Sequence, residues 1–498
     1  MADTIIIGAG LNGLVAANYL AKAGNRVLVL ERRAIAGGQA VTESFGANFT
    51  ADALHAGGQL RPDIVSELDL TRHGLPESTS QPLISLLPDG RQLRLTADSN
   101  DATLASIRAF SAKDAQRWPD FVAFMHEATA FLDEAYRTPM PRLPHVSWIE
   151  GAPLAKLALR LRRLGPRDMF RVIRMLPMSA LELTEEWFES DAVRAAIGAI
   201  AVHGSTLGPM SAGSGYTLMH NWLNRGGPGH TRVEGGVGRI ADALTTALKS
   251  RGGEVRTNAD VKAILTDDLS VKGVKLATGE EIAAPIVVSG ADPRHTLLDL
   301  VGAPELPPEF VWRTQSIKMR GSVAKVHLLT DGDHGLPNGT LVVAPSIRYV
   351  ERAYDAAKYG QISNAPYLEL TGNGPVVSIH FQFAPYELRD SAWSQARAEL
   401  ERIAVDTASE ALPRLKASIR ETKSLTPLDL EQNYGLTEGD LNHGQLILDQ
   451  MFFMRPMPGW STHKTPVDNL YLCGNGVHGG GGISGAAGRN AAAAVLRA

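Results

Sequence analysis

A glycine-rich turn near the start of the chain constrains the fold more than any other feature. Residues 4–7 form a short β-branched run, which is typical of a buried parallel strand. The pattern G-x-G-x-x-G follows at 8–13, and apolar residues then recur with helical spacing over 14–23. A second apolar run at 26–30 ends at Glu31. Strand, glycine turn, helix, strand and terminal acid in this order predict a Rossmann-type dinucleotide-binding unit.

Each residue of the turn has a physical role in such a site. Gly8 allows the tight bend, Gly10 lets the backbone approach a pyrophosphate, and Gly13 lets helix and strand pack closely. The backbone at Leu11 and Asn12 belongs to the same turn. The helix that follows presents free N–H groups and a partial positive charge to the phosphates. We therefore predict that these residues bind a dinucleotide cofactor.

An acid and a second glycine pair narrow the choice of cofactor. In sites of this kind an acid such as Glu31 accepts hydrogen bonds from the adenosine ribose, which favours FAD or NAD over NADP. A glycine pair at 37–38 follows soon after. It resembles the segment that lies along the diphosphate and the flavin in two-dinucleotide-binding-domain flavoproteins. The resemblance favours FAD and adds these residues to its site: Arg32, Gly38, Gln39 and Ala40.

The C-terminal segment repeats the order of strand, glycine turn and helix. A strand is predicted over 469–473, a glycine-rich loop over 474–485, and a small-residue helix over 486–496. In the same type of flavoprotein this second turn meets the ribityl chain and the flavin pyrimidine. The resemblance also places Val261, in the alternating run 254–265, beside the adenine. From the second turn it adds Gly474, Asn475, Gly482 and Ile483 to the FAD site.

With these segments together, the chain resembles the carotenoid and retinoid oxidoreductase family, the phytoene desaturase-like flavoproteins. The similarity rests on the first 60 residues and on 203–240, 295–330 and 435–490. It implies an α/β fold in which a Rossmann-type FAD-binding domain accompanies a discontinuous α+β substrate domain. A chain of 498 residues exceeds one ordinary core, in agreement with two domains. The expected segments are 1–75, 225–300 and 440–498 for the FAD-binding domain, and 76–224 and 301–439 for the substrate domain.

The resemblance implies flavin-dependent oxidation. We expect a hydride to leave a small hydrophobic substrate for flavin N5, with desaturation of a C–C bond and with O2 or a quinone as the acceptor. Three alternatives stay open: a flavin-dependent amine oxidase, a redox-neutral polyene isomerase and a non-catalytic regulatory flavoprotein. The single cysteine, Cys473, excludes an internal dithiol redox centre.

Residues of the substrate site carry weaker signals. Tyr216 and His220 are four positions apart, which places them on one helical face, and the resemblance puts this segment at the border of the substrate cavity. Lys318 and Lys325 are candidates for a lysine near flavin N5, as in amine oxidases. The strand-like surroundings of Lys325 favour a solvent-facing side chain instead. The sequence assigns no catalytic residue, and without clustered Cys and His spacing no metal is expected.

Charge and amphipathicity limit the partners. The net charge is −4, from 49 basic and 53 acidic residues, so nucleic acid is not an expected partner. The stretch 154–176 has one apolar and one basic face, and a break at 165–166 predicts two helices. Such a face suits peripheral contact with a membrane, although packing on the core explains the same pattern. We expect a cytoplasmic protein, peripheral at a membrane surface if that face is free. The oligomeric state stays open.

Overall fold

The computed structural model describes residues 2–141 and 148–498, and it confirms the predicted α/β class. A five-stranded sheet and a seven-stranded sheet are its largest layers. Within the described ranges, no helix combines the length and the apolar character needed to cross a membrane.

Strands and helices occur along the whole described chain. The strands are β1 (Thr4–Ile7), β2 (Val27–Leu30), β3 (Thr42–Gly46), β4 (Phe49–Asp52), β5 (Ser78–Ser80), β6 (Leu83–Leu86), β7 (Gln92–Leu95), β8 (Thr231–Val233), β9 (Glu254–Arg256), β10 (Val261–Asp267), β11 (Ser270–Leu276), β12 (Glu281–Ala283), β13 (Ile286–Ser289), β14 (Val323–Thr330), β15 (Thr340–Val343), β16 (Leu368–Asn373), β17 (Val376–Gln382), β18 (Ile419–Leu425) and β19 (Leu470–Leu472). The helices are α1 (Leu11–Lys22), α2 (Pro62–Glu67), α3 (Asp101–Arg108), α4 (Ala112–Arg137), α5 (Trp148–Arg163), α6 (Gly165–Met175), α7 (Ala180–Trp187), α8 (Asp191–Val202), α9 (Ser214–Arg225), α10 (Gly238–Ser250), α11 (Pro308–Gln315), α12 (Ile347–Lys358), α13 (Trp393–Ala411), α14 (Leu415–Ser418), α15 (Pro427–Tyr434) and α16 (Ala486–Val495).

The five-stranded sheet is parallel throughout, in the order β19-β13-β1-β2-β9. The central strand β1 pairs Ile5 with Val287 on one side and with Leu28 on the other. All residues of β1 are buried, as its unbroken β-branched run predicts for a strand covered on both faces. Helices α1, α10 and α16 pack on one face and share a core with residues such as Ile6 and Leu14. The glycine-rich turns that follow β1 and β19 therefore extend from a sheet that is packed against helices.

The second large layer is a mixed sheet in the order β18-β14-β17-β16-β15-β6-β7. Helix α13 packs on it through residues such as Trp393 and Leu400. A separate helical core, formed by α4, α7, α8 and α9, surrounds Trp118 and Phe121. Helix α9 from this core carries polar side chains toward the site described below.

The strands of the two large sheets come from different parts of the chain. Every strand of the parallel sheet lies within 1–75, 225–300 or 440–498, and every strand of the mixed sheet lies within 76–224 or 301–439. The parallel sheet is thus assembled from separated parts of the chain. The domain boundaries themselves stay a prediction.

Two predicted elements differ in their bounds. Helix α1 begins at Leu11 rather than at the predicted position 14, because Gly10 already serves as its N-cap. The run predicted as one strand over 254–265 is two strands, β9 and β10. The backbone between them turns at Asn258, whose φ is +52°. The predicted break in 154–176 is confirmed, since α5 ends at Arg163 and α6 begins at Gly165.

Candidate functional site

The first glycine turn forms the floor of a cleft. Helix α1 has no acidic residue in its first turn, so its free N–H groups meet no competing negative charge. A Cβ on Gly13 would lie 2.3 Å from the carbonyl oxygen of Gly8, and only glycine permits this close packing. A Cβ on Gly10 would meet no atom within 4 Å. The cleft side of Gly10 is therefore open to a ligand.

The second glycine pair lies directly against the first turn. Gly37 donates its N–H to the carbonyl of Ala9 over 2.9 Å, and Gly10 and Gly37 form a parallel β-bridge. Gly38 has a φ of +59°, and a Cβ there would lie 2.9 Å from the Cα of Gly10. A side chain at Gly38 would push these two walls of the cleft apart.

The carboxylate of Glu31 is fixed at the end of β2. Its Oε2 accepts a hydrogen bond from the N–H of Ala9 at 2.8 Å, and its Oε1 accepts one from the N–H of Arg33 at 2.8 Å. Each oxygen keeps further lone-pair capacity, and the residue lines the cleft. Glu31 is therefore oriented to accept the hydroxyls of a ribose before any ligand binds.

The C-terminal loop closes the cleft by contacts with the first turn. Asn12 donates from Nδ2 to Oδ1 of Asn475 at 2.8 Å, and its own Oδ1 accepts from the N–H of Gly488 at 3.2 Å. The buried guanidinium of Arg455 donates to the carbonyl of Asn475 at 2.9 Å and to that of Asn442 at 2.7 Å. The two ends of the chain are thus held together at one site.

These elements enclose a cleft of about 390 Å³. It is lined by every residue that the sequence predicts for FAD: Gly8, Gly10, Leu11, Asn12, Gly13, Glu31, Arg32, Gly38, Gln39, Ala40, Val261, Gly474, Asn475, Gly482 and Ile483. The glycine cradle, the fixed carboxylate and the open helix N-terminus fit a dinucleotide. The individual contacts of these residues with FAD stay predictions.

A second cavity adjoins the cleft, and we refer to it as the inner chamber. It measures about 60 Å³ and meets the cleft where both are lined by His55, Gly482 and Ile483. Its other polar lining residues are His203, Thr217, His220, Asn221, Asn224, Arg225, His230 and Asn442, together with Ser205. A substrate beside the cleft would therefore meet hydrogen-bonding side chains together with apolar surface.

Three asparagines line the inner chamber, and the contacts of their amide NH2 groups are defined. Asn221 donates from Nδ2 to the carbonyls of Ile200 and His203, at 2.8 and 3.0 Å. Asn224 donates to the carbonyl of His220 at 3.0 Å, and Asn442 donates to a carbonyl at 3.0 Å. Because a carbonyl only accepts, these contacts fix which end of each amide is the NH2 group. The Oδ1 atoms have no hydrogen-bond partner among the described residues and are not fully buried.

Tyr216 and His220 lie on α9 as predicted, but their surroundings differ. His220 lines the inner chamber, whereas the hydroxyl of Tyr216 is hydrogen-bonded to that of Tyr136 at 2.9 Å. Both ring nitrogens of His220 are occupied, Nδ1 by Tyr136 at 2.7 Å and Nε2 by the NH2 group of Asn224 at 3.0 Å. Burial also lowers the pKa of His220 to about 3. His220 is therefore a neutral, fully bonded wall residue without a free lone pair.

The prediction of a solvent-facing Lys325 was wrong. The side chain is buried on β14, and its Nζ lies 3.0 Å from Nδ1 of His380. Strand β14 is covered on both faces, so its alternation does not lead to solvent. Burial lowers the pKa of Lys325 to about 8. By contrast, Lys318 is exposed and pairs with Asp449 at 2.6 Å.

A buried charge cluster stands behind the inner chamber. Glu369 accepts from Arg225 at 2.9 and 3.2 Å and bonds Nε2 of His230 at 2.9 Å, and Nδ1 of His203 lies 3.2 Å away. Burial alone would raise the pKa of Glu369, but Arg225 and the histidines hold it well below its usual range. His203, His230 and Glu369 offer metal-type ligand atoms, yet both Glu369 oxygens already bind the Arg225 cation. This arrangement suits an ion pair better than a metal.

Sequence reasoning missed His55 and the asparagines of the inner chamber. A signal for two of them was present, since Thr217, His220, Asn221 and Asn224 recur at three- and four-residue spacing on α9. Such a polar stripe on a helix whose other residues are buried indicates an internal cavity. Neither His55 nor Asn442 carries a local pattern, because each reaches the chamber from a loop.

Comparison with known proteins agrees with this geometry. Residues 11–496 match the family described as flavin containing amine oxidoreductase. The chain is 33% identical to pyridine nucleotide-disulfide oxidoreductase domain-containing protein 2 of Rattus norvegicus, over 99% of this chain and 93% of that protein. It is 26% identical to a lycopene-forming phytoene desaturase of Pantoea ananas, over 100% of this chain and 99% of that protein. These matches confirm the resemblance to phytoene desaturase-like flavoproteins.

Solved structures show the same fold. An oxidoreductase from Methanosarcina mazei aligns with a TM-score of 0.58 and 17% identity, covering 99% of this chain and 100% of that chain. At this identity the likeness concerns the fold alone, and it agrees with the predicted α/β class.

Proposed function

Because this chain belongs to the flavin-containing amine oxidoreductase family and is an FAD-dependent oxidoreductase, we propose that it oxidises a small organic amine held in the inner chamber. The substrate would stand beside the cleft that the predicted FAD residues line, at the junction formed by His55, Gly482 and Ile483. FAD supplies a two-electron acceptor when bound.

The amide oxygens of Asn221, Asn224 and Asn442 carry this proposal. Their NH2 groups are held by backbone carbonyls, so each Oδ1 atom of these lining residues is an acceptor without a donor among the described residues. An amino group brings N–H donors to such a surface. A hydrocarbon would leave each acceptor unpaired, at a cost of about 1–3 kcal/mol per group. These unpaired acceptors therefore favour an amine over the hydrophobic substrate expected from the sequence.

The proposed reaction balances with ordinary amine chemistry. The carbon next to nitrogen gives up a hydride, the nitrogen loses a proton, and the C–N single bond becomes an imine. Water then hydrolyses the imine to a carbonyl compound and the free amine or ammonia. An acceptor of the O2 or quinone class takes up the two electrons. The protein contributes orientation and exclusion of water, since the chamber lies in the interior.

Desaturation of an apolar C–C bond is the second candidate. The full-length similarity to a lycopene-forming phytoene desaturase supports it. The same cleft would serve this reaction, but the acceptors of the inner chamber would then contribute nothing to binding.

Flavin bleaching tests the two candidates directly. The FAD-loaded protein is mixed without oxygen with a panel of primary and secondary amines, and separately with apolar alkenes of similar size. We expect the oxidised-flavin absorbance to bleach with one or more amines and to recover when an acceptor is added. Bleaching by alkenes alone would contradict the amine proposal and favour desaturation.

An asparagine variant adds a matched control. Asn224→Ala removes one acceptor of the inner chamber and is expected to raise KM for the amine roughly tenfold, the effect of one lost hydrogen bond. Asn338→Ala changes an exposed asparagine and should leave KM unchanged. Equal KM values in both variants would count against amine binding in the chamber.

A further inference from the structure

His55 stands at the junction of the two cavities. It belongs to the loop that follows β4, and of the histidines that line the inner chamber it is the one that also lines the cleft. His203, His220 and His230 line the chamber but not the cleft. A group at this position touches both the predicted flavin site and the predicted substrate site.

A chain of hydrogen bonds fixes the tautomer of His55. The backbone carbonyl of Leu441 can only accept, so the contact of 2.8 Å from Gln39 identifies the Gln39 Nε2 as its donor. The Gln39 Oε1 is then the atom that meets Nε2 of His55 at 3.0 Å. Because an amide oxygen also only accepts, His55 must carry its proton on Nε2. The Nδ1 atom is left with a lone pair.

That lone pair is free and accessible. Nδ1 of His55 has no hydrogen-bond partner among the described residues, and it is not one of the fully buried polar atoms. The ring is partly accessible although it lies in the interior. A substrate N–H therefore finds an unoccupied acceptor at the junction.

Electrostatics keeps the ring neutral. Burial is the main reason why the pKa of His55 falls to about 3, and the nearby Lys325, His203 and His230 lower it further. The ring is therefore neutral, with its proton on Nε2 and an acceptor at Nδ1, at every pH at which the protein is expected to work.

We propose that His55 is a catalytic residue that accepts a hydrogen bond from the substrate N–H at Nδ1, and that Gln39 is the positioning residue that sets its tautomer. This inference rests on the proposed amine substrate. It assigns to Gln39 a second role beside its predicted place in the FAD site. The amide suits this role because it donates to Leu441 through Nε2 and accepts from His55 through Oε1 at the same time.

Kinetics and FAD content test the role of His55. His55→Leu keeps a side chain of similar size and removes the acceptor. We expect FAD content close to that of the wild type and a rate of flavin reduction at saturating amine at least tenfold lower, as expected for the loss of one hydrogen bond to the substrate. His126→Leu, at an exposed histidine of α4, is the matched control and should reduce at the wild-type rate.

Nitrogen NMR on histidine-labelled protein tests the tautomer without turnover. The signal of His55 is assigned by its loss in His55→Leu, and we expect it to show a protonated Nε2 and a bare Nδ1 from pH 8 to pH 5. Gln39→Leu should convert it to a mixture of tautomers. A protonated Nδ1 in the wild type would overturn the proposal.

The outcomes separate this inference from the proposed function. A wild type that no amine reduces overturns both. A wild type that amines reduce, with His55→Leu reduced equally fast at full FAD content, overturns the role of His55 and leaves the amine proposal standing.

Discussion

At the scale of single residues, the site is organised before a ligand arrives. Glu31 is held by the N–H groups of Ala9 and Arg33, one on each oxygen. Both partners are N–H donors. Replacing either oxygen with another donor would place two donors against each other and leave both without an acceptor. The carboxylate is needed for its geometry as much as for its charge.

Glu31→Gln should therefore weaken FAD binding. The new NH2 group faces a backbone N–H, and we expect the Kd for FAD to rise at least roughly tenfold. Titration of the apoprotein with FAD, followed by flavin fluorescence, measures this change. Glu254→Gln, at an exposed acid on β9, is the control. Equal Kd values for the two variants would contradict the assigned role of Glu31.

Buried histidines predict how stability depends on pH. Burial lowers the pKa of His220, His327 and His478 to about 3, so each stays neutral in the folded protein where an unfolded histidine would take up a proton. Their contribution to stability is present above about pH 6.5 and is lost as the pH falls toward 3. We expect the free energy of unfolding to be several kcal/mol lower at pH 5 than at pH 7, on the order of 2 kcal/mol for each such histidine.

Denaturant unfolding of the protein at both pH values measures that difference. A Leu or Gln replacement of the exposed His126 should not alter the pH dependence. A free energy of unfolding that stays constant or increases from pH 7 to pH 5 would contradict the neutral state of these histidines.

Lys325 shows why some residues escape sequence reasoning. Its strand was predicted, but whether β14 faces solvent depends on which elements cover the mixed sheet. Those elements come from distant parts of the chain, and no local pattern reports them. The same holds for His55, whose tautomer depends on Leu441, several hundred positions away.

At the scale of elements, α5 and α6 leave an outer face of apolar and basic side chains. Leu159, Phe170 and Ile173 are 48%, 60% and 45% exposed. Arg163 and Arg167 are exposed and make no ion pair with any described residue. Exposed apolar side chains beside free cations are what an anionic membrane surface binds.

Vesicle sedimentation tests this face. We expect binding to vesicles of phosphatidylglycerol and phosphatidylcholine, and weaker binding to phosphatidylcholine alone. The double variant Phe170→Ser with Ile173→Ser should lose most of it, since each apolar side chain contributes about 1.5–3 kcal/mol when buried. Trp312→Ser, at a residue 66% exposed on α11, is the control. Equal binding by both variants, or none by the wild type, would contradict membrane contact.

The elements nearest the cleft were predictable because their signals are local. Local sequence patterns are enough to predict the structure of three of them: the β-branched run of β1, the turn at 8–13 and the glycine loop before α16. The start of α1 and the split between β9 and β10 were missed, because end positions depend on capping and on single backbone turns such as that at Asn258.

At the scale of the whole molecule, separated segments meet to make one site. The parallel sheet takes β1 and β2 from the start of the chain, β9 and β13 from the middle and β19 from the end. The link between Asn12 and Asn475 joins the two glycine turns across this arrangement. The resemblance to a known family made this discontinuity predictable. The inner chamber could not be predicted, because it is formed only when the helices and loops that line it come together.

Flavin absorbance of the purified protein shows whether this cleft holds FAD. Excess FAD is added and then removed, and bound flavin is compared between the wild type and Gly38→Val, in which a Cβ would lie 2.9 Å from the Cα of Gly10. We expect one FAD per wild-type chain and a large loss of bound FAD in Gly38→Val. A wild type without flavin bands, or a Gly38→Val variant that retains full FAD, would contradict it.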